Sequence, residues 1–444
     1  MHIVIIGNGI SGITTARYVR KMSDHKITVI SAETKHFFSR TALMYIYMGH
    51  MKYENTKPYE DFFWEKNRIN LVHDYVENID FSTKKLAMQK GEAIKYDKLV
   101  LAVGSKSNKF GWPGQDLNGV QGLYNMQDLE KLEKNTPETE RAVIVGGGLI
   151  GIELAEMLLS RRIKVTMLVR EGSYWNNVLP KEESEMINRH IAEHHVDLRL
   201  SSELKEILPD ENGRVRAILT KSGEEIKCQI VGLTAGVSPN IGFLKNTELA
   251  TRRGIYINHY LETNITDVYA IGDCAEFSEP LPNRRPIEQV WYTGRMQGIT
   301  LAHTLTGKRK LYQPRIWFNS AKFFDIEYQT YGIVMPKLRA GEKQLYWEHE
   351  SGKKCVKIVY DEATKQLVGI NTFGIRFRHD VCETWLAEKR DLAYVMQHLR
   401  AAHFDPEFYD RYEKDILAVY HKDFPNEKVV MKSEKSLWNM IFAK

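Results

Sequence analysis

The hydrophobic pattern begins with a continuous apolar run, Ile3–Ile6, close to the first residue. A glycine cluster follows, then a helical pattern of apolar positions over residues 13–22, and then a second apolar stretch at residues 26–30. An uninterrupted apolar run is typical of a strand buried on both faces of a parallel sheet, and a 3.6-residue period is typical of a helix packed on it. The pattern therefore predicts a strand–helix–strand unit at the start of the chain.

The glycines between the first strand and the helix, Gly7, Gly9 and Gly12, form a G-x-G-x-x-G motif. The first permits a tight turn, the second lets the backbone approach a pyrophosphate, and the third lets the helix pack closely on the strand. The helix N-terminus adds unpaired N–H groups and a positive dipole end. Glu33 follows the second strand, close to the place where an acid accepts hydrogen bonds from ribose hydroxyls. Together these features predict a dinucleotide site.

The same pattern returns in a second copy further along the chain. Residues 142–145 are apolar, Gly146, Gly148 and Gly151 repeat the glycine spacing, and a helical pattern leads to another apolar strand at residues 164–169. One chain with two dinucleotide units implies two bound dinucleotides, and two such ligands in one enzyme are typical of a hydride relay.

Composition narrows the class of protein. The chain has 444 residues, 43% hydrophobic and 27% charged, which predicts a globular enzyme of two or three domains. Its net charge of +5 is too small to indicate nucleic-acid binding, although a mildly basic face could steer an acidic partner. The four cysteines are far apart, without metal-binding spacing, and too few for a disulfide-stapled secreted fold.

The start of the chain bears on localisation. Residues 2–6 enter a strand at once and leave no room for a signal peptide. No apolar stretch approaches the roughly 18 residues that a membrane-spanning helix needs. We therefore expect a cytoplasmic protein.

Three further segments resemble a known family. Residues 96–105 read as a strand that ends in a small-residue turn, and residues 263–273 as a strand that ends in Gly272-Asp273. These segments and residues 233–240 resemble signature stretches of the FAD-dependent pyridine nucleotide oxidoreductase family, the two-dinucleotide relatives of glutathione reductase. With the two glycine motifs, they occur in the family's order across residues 1–310.

The resemblance implies an α/β fold with two three-layer Rossmann-type dinucleotide-binding domains and a C-terminal α+β domain. Residues 1–110 and 233–310 would form the FAD-binding domain, with the NAD(P)H-binding domain, residues 111–232, inserted between them. Residues 311–444 would form an interface or acceptor domain that closes over the flavin or pairs two subunits. Residues 287–298 resemble the helix whose positive end faces the flavin.

The resemblance also implies which residues bind each cofactor, with Asp273 on the ribityl chain of FAD and Ala102–Gly104 on its adenosine side. The residues expected to bind FAD are Gly7, Gly9, Ile10, Ser11, Gly12, Glu33, Arg40, Val76, Ala102, Val103, Gly104, Gly272, Asp273, Trp291 and Tyr292. Those expected to bind NAD(P)H are Gly146, Gly148, Leu149, Ile150, Gly151, Glu153, Arg170 and Gly236. Glu153 would lie beside the nicotinamide, although a favourable charge at a helix N-terminus also explains it. Hydride transfer needs no protein acid or base, so we name no catalytic residue.

The region after the first strand pair distinguishes branches of the family. Disulfide reductases of the family carry a reactive cysteine there, whereas residues 36–45 contain none and the first cysteine is Cys228. Thiol–disulfide chemistry is therefore not expected. The segment resembles the ferredoxin and rubredoxin reductase branch, with Arg40 matching an arginine of that branch. Two positions depart from it, because Tyr45 replaces a lysine near the flavin and Asn319 replaces an aromatic residue over it.

These observations predict an FAD-dependent NAD(P)H oxidoreductase whose acceptor is a small redox protein such as a ferredoxin or rubredoxin. One alternative is a quinone reductase resembling the non-pumping NADH dehydrogenases. It would touch a membrane surface through the lysine- and aromatic-bearing tail, residues 428–444, which could equally pack on its own domain. Another is an NADH-binding signalling flavoprotein resembling apoptosis-inducing factor. A homodimer is one assembly that the C-terminal domain would allow.

Two smaller questions concern a metal and the coenzyme. A C-terminal group of potential ligands matches no standard metal site, so no metal is expected; its members are His379, Asp380, Cys382, Glu383, His398 and His403. Val169 stands where an NADH-specific fold has an acid, and Arg170, as in the NADPH-using glutathione reductases, could grip a 2′-phosphate. Glu171 would repel that phosphate or bind the NADH ribose itself. The missing acid and Arg170 together outweigh Glu171, so these residues favour NADPH over NADH.

Overall fold

The computed structural model describes residues 1–405 and 410–432. Residues 1–110 form β1 (His2–Ile6), α1 (Ile10–Met22), β2 (Lys26–Ser31), α2 (Leu43–Tyr47), α3 (Phe62–Lys66), β3 (Ile69–His73), β4 (Val76–Asp80), β5 (Lys85–Met88), β6 (Ile94–Lys95), β7 (Lys98–Leu101) and β8 (Ser105–Ser107). Residues 111–233 form β9 (Val120–Gln121), α4 (Met126–Asn135), β10 (Arg141–Val145), α5 (Leu149–Ser160), β11 (Lys164–Leu168), α6 (Lys181–Glu193), β12 (Asp197–Arg199), β13 (Leu204–Pro209), β14 (Val215–Thr220), β15 (Glu225–Lys227) and β16 (Ile230–Leu233).

The remaining elements follow in chain order. Residues 234–314 form β17 (Val237–Pro239), β18 (Ile255–Ile257), β19 (Val268–Ala270), β20 (Ala275–Phe277) and α7 (Trp291–Leu305). The described residues after 314 form β21 (Phe318–Phe323), β22 (Ile326–Gly332), β23 (Glu342–Glu348), β24 (Cys355–Asp361), β25 (Leu367–Phe373), α8 (His379–Ala387), α9 (Leu392–Gln397) and α10 (Glu413–Asp423).

Five parallel strands form the first sheet, in the order β19–β7–β1–β2–β3. The apolar run of β1 is buried on both faces, as the pattern predicts. From β1 the chain continues to β2 and β3 on one side, while β7 and β19 join on the other, so the strand order reverses beside β1. Ligands of open α/β sheets bind at the carboxyl ends of strands beside such a reversal. Gly7, Ala102 and Gly272 lie just after β1, β7 and β19, at this edge.

The second sheet has the order β12–β11–β10–β16–β9. Strand β10 pairs in parallel with β16, and β16 pairs in parallel with β9. The strand order reverses beside β10, as it does beside β1. Gly146 and Thr234 follow β10 and β16, and the backbone N–H of Thr234 donates to the carbonyl of Val145 over 2.9 Å. Strands β13, β14 and β15 form a separate antiparallel sheet.

The C-terminal region is built on five antiparallel strands in the order β21–β22–β25–β24–β23. One apolar core joins this sheet to the three helices that follow it. Buried side chains of α8, α9 and α10, such as Trp385, Met396 and Tyr420, belong to the same cluster as Ile358 and Ile370 of the sheet. Two parallel Rossmann-type sheets and an α+β C-terminal region agree with the predicted fold class.

Contacts divide the chain into two compact units. One comprises residues 1–146, 154–166 and 203–314, and the other residues 147–153, 167–202 and 315–444. The four-segment division at residues 110, 232 and 310 stays a prediction. No helix in the described part of the chain is long and apolar enough to cross a membrane.

Candidate functional site

The first glycine turn packs tightly against the sheet at Gly7 and Gly12 but has open space beside Gly9. At Gly7 φ is +110°, and an added Cβ would lie 2.0 Å from the carbonyl oxygen of Ala102. A Cβ on Gly12 would lie 2.0 Å from the carbonyl oxygen of Gly7. At Gly9, by contrast, a Cβ would meet no heavy atom within 4 Å, and α1 begins at Ile10 without a side-chain cap. The turn therefore leaves room and unpaired N–H groups for an anion at the helix N-terminus.

Glycines also bring helix α7 close to α1. A Cβ on Gly272 or on Gly294 would lie 2.4 Å from Oγ of Ser11, and a Cβ on Gly298 would lie 2.7 Å from the Ser11 carbonyl oxygen. The side-chain oxygen of Gln297 accepts a hydrogen bond from the backbone N–H of Gly272 over 2.7 Å. The turn after β19 and helix α7 are thus held against the first turn of α1.

Glu33 and Arg40 form a two-pronged ion pair beside this turn. Nη1 of Arg40 lies 3.0 Å from Oε1 of Glu33, and Nη2 lies 2.5 Å from Oε2. Oε1 also accepts from the backbone N–H of Met126 over 2.9 Å. A carboxylate has about four acceptor positions, so one remains for a ribose hydroxyl. Burial lowers the pKa of Arg40, but the pair with Glu33 outweighs it and the net shift is upward.

Asp273 lies at the same edge of the sheet with Tyr124 against it. The Tyr124 hydroxyl donates to Oδ2 of Asp273 over 3.2 Å and accepts from the backbone N–H of Ser105 over 2.9 Å. A Cβ on Gly104 would lie 3.0 Å from that hydroxyl oxygen. Burial raises the pKa of Asp273 above its ordinary value, while Tyr124 and Arg40 act in the opposite direction.

These residues fit FAD. The open position at Gly9 and the uncapped start of α1 would hold the pyrophosphate, and Asp273 would accept hydrogen bonds from the ribityl hydroxyls. Val76 is buried on β4, while Trp291 and Tyr292 form the first turn of α7, where Trp291 is exposed. Ile10 and Val103 are partly buried against the core below the turn. Each of these binding roles remains a prediction.

The second glycine turn repeats the open position. A Cβ on Gly148 would meet no heavy atom within 4 Å, whereas one on Gly147 would lie 2.9 Å from the Val169 side chain. The buried hydroxyl of Tyr174 donates to the carbonyl oxygen of Gly148 over 2.6 Å. Burial raises the pKa of the Tyr174 hydroxyl, and the nearby negative charge of Glu153 raises it further. Gly148 thus has the space that a second pyrophosphate needs, and Glu153 lies near the tyrosine that supports the turn.

The other predicted coenzyme residues lie at strand and helix ends. Gly146 has φ +128°, and an added Cβ would lie 2.6 Å from the Thr234 carbonyl group. Gly236 has φ +85°, and its carbonyl oxygen accepts from the backbone N–H of Asn108 over 3.1 Å. The first residues of α5 are Leu149, Ile150 and Gly151, of which Gly151 is buried.

The residues after β11 bear on the choice of coenzyme. Val169 is fully buried. The Arg170 side chain is 73% exposed, and its Nη2 and Nε lie 2.8 and 3.2 Å from Oε1 of Glu171. The arginine expected to grip a 2′-phosphate is thus paired with the neighbouring acid that would oppose that phosphate.

All four cysteines lie in the described part of the chain and are buried thiols outside any disulfide. Burial raises the pKa of Cys228 and of Cys274 to about 12, and it also raises the pKa values of Cys355 and Cys382. A thiol with a raised pKa and no exposure is a poor nucleophile. The predicted absence of thiol chemistry is consistent with this burial.

The two positions that depart from the reductase branch lie on α2 and β21. Tyr45 lies on α2 with its ring 6.1 Å from that of His50, and Asn319 lies on β21. The C-terminal group of His379, Asp380, Cys382, Glu383, His398 and His403 does not bring three ligand atoms within 4.8 Å of one another. Most of the predicted membrane-contacting tail, residues 433–444, lies outside the described residues.

Sequence reasoning missed several residues that shape the site. Tyr124 holds Asp273, Gln297 holds Gly272, and Tyr174 holds Gly148. Asn8 is the first of the three variable residues of the first glycine motif. Its side-chain amide donates to the carbonyl oxygen of Thr34 over 2.8 Å and connects the loop after β2 to the turn. Of these, only Asn8 carried a local signal, since it lies inside the motif.

Comparison with known proteins identifies the family. The sequence profile described as pyridine nucleotide-disulphide oxidoreductase matches residues 1–304. The chain belongs to this family. A rubredoxin-NAD(+) reductase from Acinetobacter baylyi is 31% identical over 319 residues, which cover 69% of this chain and 79% of the relative. An NADH-rubredoxin oxidoreductase from Clostridium acetobutylicum is 30% identical over 282 residues, which cover 62% of this chain and 68% of the relative.

Solved structures share the fold of this oxidoreductase. A ferredoxin reductase from Rhodopseudomonas palustris superposes with a TM-score of 0.76 at 23% identity, covering 84% of this chain and 91% of that one. An NAD-dependent persulfide reductase from A. fulgidus superposes with a TM-score of 0.83 at 20% identity, covering 98% and 89%. The family and its relatives confirm the predicted FAD and nicotinamide coenzyme, so this oxidoreductase moves electrons between the two.

Proposed function

We propose that this oxidoreductase takes electrons from a nicotinamide coenzyme and delivers them, through FAD, to a small redox protein of the rubredoxin or ferredoxin type. The observation that carries the proposal is the burial of all four cysteines. Without a reachable thiol the chain offers no internal dithiol to receive electrons, so they must leave the flavin for a separate acceptor. Relatives named as rubredoxin reductases, at 30–31% identity, support that class of acceptor.

The residues of the chain would bind and orient the cofactors. When bound, FAD supplies a centre that accepts a two-electron hydride and releases electrons one at a time, as a one-electron carrier requires. Gly9 and the start of α1 would hold its pyrophosphate, while Asp273 would fix the ribityl chain. The positive end of α7, which is 15 residues long and begins at Trp291, would favour negative charge on a reduced flavin.

Charge supports a protein acceptor. The net charge of +5 favours encounter with an acidic partner, and such steering weakens as salt rises. A small carrier that docks transiently needs rapid encounter more than tight binding, which suits this modest excess of positive charge.

The deciding experiment is an acceptor screen with the FAD-loaded protein under anaerobic conditions. The coenzyme would be NADH or NADPH, and the acceptors rubredoxin, a [2Fe–2S] ferredoxin, a soluble quinone and coenzyme A disulfide. We expect kcat/KM for rubredoxin or ferredoxin to exceed that for the others by roughly 10-fold and to fall as ionic strength rises.

Three results would contradict the proposal. Fastest turnover with quinone, increased by anionic lipid vesicles, would favour the quinone reductase. Slow turnover with every acceptor and a long-lived reduced complex would favour the signalling flavoprotein. Fast reduction of coenzyme A disulfide would show that a thiol takes part after all.

A further inference from the structure

A compact group of metal-ligating side chains lies away from both glycine turns. His190 and His194 are four residues apart on and just after α6, and Asp325 lies in the turn between β21 and β22. Nε2 of His190 lies 2.7 Å from Oδ1 of Asp325, and Nε2 of His194 lies 3.0 Å from the same oxygen. In the described part of the chain, this is the group of three such side chains whose ligand atoms all lie within 4.8 Å of one another.

The buried histidine of the group is poorly explained by hydrogen bonding. His190 is 1% exposed, and neither of its ring nitrogens makes a well-aligned hydrogen bond within the protein. Oδ1 of Asp325 is close to Nε2 but does not lie along the direction in which the ring would donate. A buried polar atom without a partner is costly, and an unseen ion is one of its standard explanations.

The surroundings hold the three side chains in place. The His194 ring stacks on the Phe324 ring with centroids 4.1 Å apart and planes 13° apart. The rings of His190 and His194 meet edge to face, with centroids 4.6 Å apart. Residues four apart on a helix project from the same face, so both imidazoles point to the hairpin turn. The arrangement needs no large movement of either histidine.

Two further charged residues, Glu193 and Lys353, lie next to this group. Oε2 of Glu193 lies 3.6 Å from Nδ1 of His190, which is beyond hydrogen-bond distance but close enough for its negative charge to favour a cation at the group. Nζ of Lys353 lies 3.3 Å from Glu193 and 4.0 Å from Oδ2 of Asp325. The lysine is closer to Glu193, and that acid offsets the positive charge that would otherwise oppose a cation.

We propose that His190, His194 and Asp325 bind a single Zn²⁺ ion. Two imidazoles and one carboxylate suit zinc and neighbouring transition metals and disfavour Mg²⁺ and Ca²⁺, which prefer oxygen ligands. Zinc bonds to nitrogen and oxygen are about 2.0–2.2 Å long, so ligand atoms on a tetrahedral ion are roughly 3.3 Å apart. The separations of 2.7 and 3.0 Å would therefore widen by roughly 0.6 and 0.3 Å. Asp325, with a side chain 60% exposed in a hairpin turn, can move by that amount, and water would fill the fourth position.

Such a site would join α6 to the β21–β22 hairpin. Zinc binding here does not depend on the proposed electron acceptor, because neither histidine belongs to the predicted cofactor-binding residues. The H-x-x-x-H spacing over residues 190–194 was the available sequence signal, but Asp325 is 131 residues from His194 and completes the group only in the folded chain.

The test is zinc binding by the full-length FAD-loaded protein, stripped with a chelator and then dialysed against Zn²⁺ alone. We expect one Zn²⁺ per chain by elemental analysis, a higher melting temperature with Zn²⁺, and neither effect with Mg²⁺. His194→Ala and Asp325→Asn should each weaken zinc binding on the order of 10-fold or more. Both positions are partly exposed, so these variants should still fold.

His195→Asn is the matched control, because it removes a neighbouring exposed histidine and asparagine tolerates the positive φ of 60° found there. It should bind zinc as the unmodified protein does. Binding of Co²⁺ in place of Zn²⁺ is a second measurement. Tetrahedral Co²⁺ absorbs at longer wavelength than flavin, so its absorption band would report an ion bound by these side chains. Stoichiometry below one, or zinc affinity equal in the control and the two ligand variants, would overturn the proposal.

Discussion

Tyr124 donates a hydrogen bond of 3.2 Å from its hydroxyl to Oδ2 of Asp273, although 149 residues separate them in the chain. The same hydroxyl accepts from the backbone N–H of Ser105, so it links the start of β8 to the turn after β19. Burial raises the pKa of both Tyr124 and Asp273. Tyr124 and the Ser105 side chain use part of the acceptor capacity of the Asp273 carboxylate, and its remaining acceptor positions are available to a ligand such as the ribityl chain of FAD.

We predict that Asp273→Ala lowers FAD affinity. Loss of a charged acceptor costs about 1.5–3 kcal/mol, which corresponds to roughly 10- to 150-fold in affinity. Tyr124→Phe should cause a much smaller loss, because it leaves both carboxylate oxygens in place. The measurement is the ratio of flavin to protein after gel filtration. Asp116→Ala, at an exposed acid paired with Lys109, should retain FAD and serves as the control. Full FAD occupancy in Asp273→Ala would show that this carboxylate does not hold the flavin.

We predict that turnover does not depend on cysteine. The four thiols are buried and their pKa values are raised, so none is available as a nucleophile. Treatment of the native protein with iodoacetamide should leave coenzyme-dependent dye reduction within about two-fold of the untreated rate. A variant with alanine at all four positions should behave alike if it folds with FAD bound. Inactivity of that folded, flavin-loaded variant would place a thiol in the reaction.

The local parts of the fold were predictable because their signals are local. An apolar run predicts the strand at residues 3–6 and the structure has it at His2–Ile6, and the second strand, predicted at residues 26–30, is found at Lys26–Ser31. Helix α1 begins at Ile10, three residues before the apolar periodicity starts, because residues of the glycine motif already form its first turn. A glycine motif in the sequence therefore predicts both the tight turn and the start of the helix that follows it.

The contacts that complete the sites could not be predicted in this way. Tyr124 has no neighbours in sequence that mark it as a partner of Asp273, and His194 meets Asp325 from 131 residues away. Such pairs depend on which strands and helices become neighbours, and periodicity does not contain that information. The glycine motif supplied Glu33 and the resemblance to a family supplied Asp273, but neither predicted Tyr124 or the Arg40–Glu33 geometry.

We predict a pH-dependent contribution to stability from Glu183, a fully buried acid on α6. Burial raises its pKa from 4.5 to about 7, although Lys357 and a 2.8 Å hydrogen bond from Asn371 act in the opposite direction. The folded state therefore binds the proton more tightly than the unfolded state. This contribution is complete below pH 4.5 and is lost as pH rises through 7, by up to about 3 kcal/mol at about 1.4 kcal/mol per pKa unit.

The measurement is the melting temperature of the unmodified protein and of Glu183→Gln at pH 5 and pH 8. The glutamine keeps the shape and cannot ionise, so the unmodified protein should lose stability relative to the variant as pH rises. Glu182→Gln is the matched control, because Lys357 binds Glu182 over 2.8 Å and the pKa of that acid is lowered. Glu182 is therefore ionised at both pH values, and the stability difference between Glu182→Gln and the unmodified protein should be nearly the same at pH 5 and pH 8. Equal pH profiles for the unmodified protein and Glu183→Gln would contradict the assignment.

The last prediction concerns the coenzyme. Val169 directly follows β11, where we expect an NADH-specific fold to carry the acid that binds both ribose hydroxyls, and it is fully buried. Arg170 is exposed and its guanidinium is paired with Glu171. A 2′-phosphate carries more charge than one carboxylate and accepts two parallel hydrogen bonds from a guanidinium, so NADPH could draw Arg170 away from Glu171. NADPH is therefore the expected coenzyme, with Glu171 limiting the preference.

Arg170→Ala should raise the KM for NADPH roughly 10-fold, since a charge-assisted contact at an exposed position is worth little more than that, and should leave the KM for NADH nearly unchanged. Glu171→Gln should lower the KM for NADPH, because it removes both the competing partner of Arg170 and the repulsion of the phosphate. If Arg170 binds the 2′-phosphate, the two variants should therefore change the KM for NADPH in opposite directions. If the unmodified protein instead prefers NADH and Glu171→Gln weakens NADH binding, Glu171 holds the ribose and the preference for NADPH is wrong.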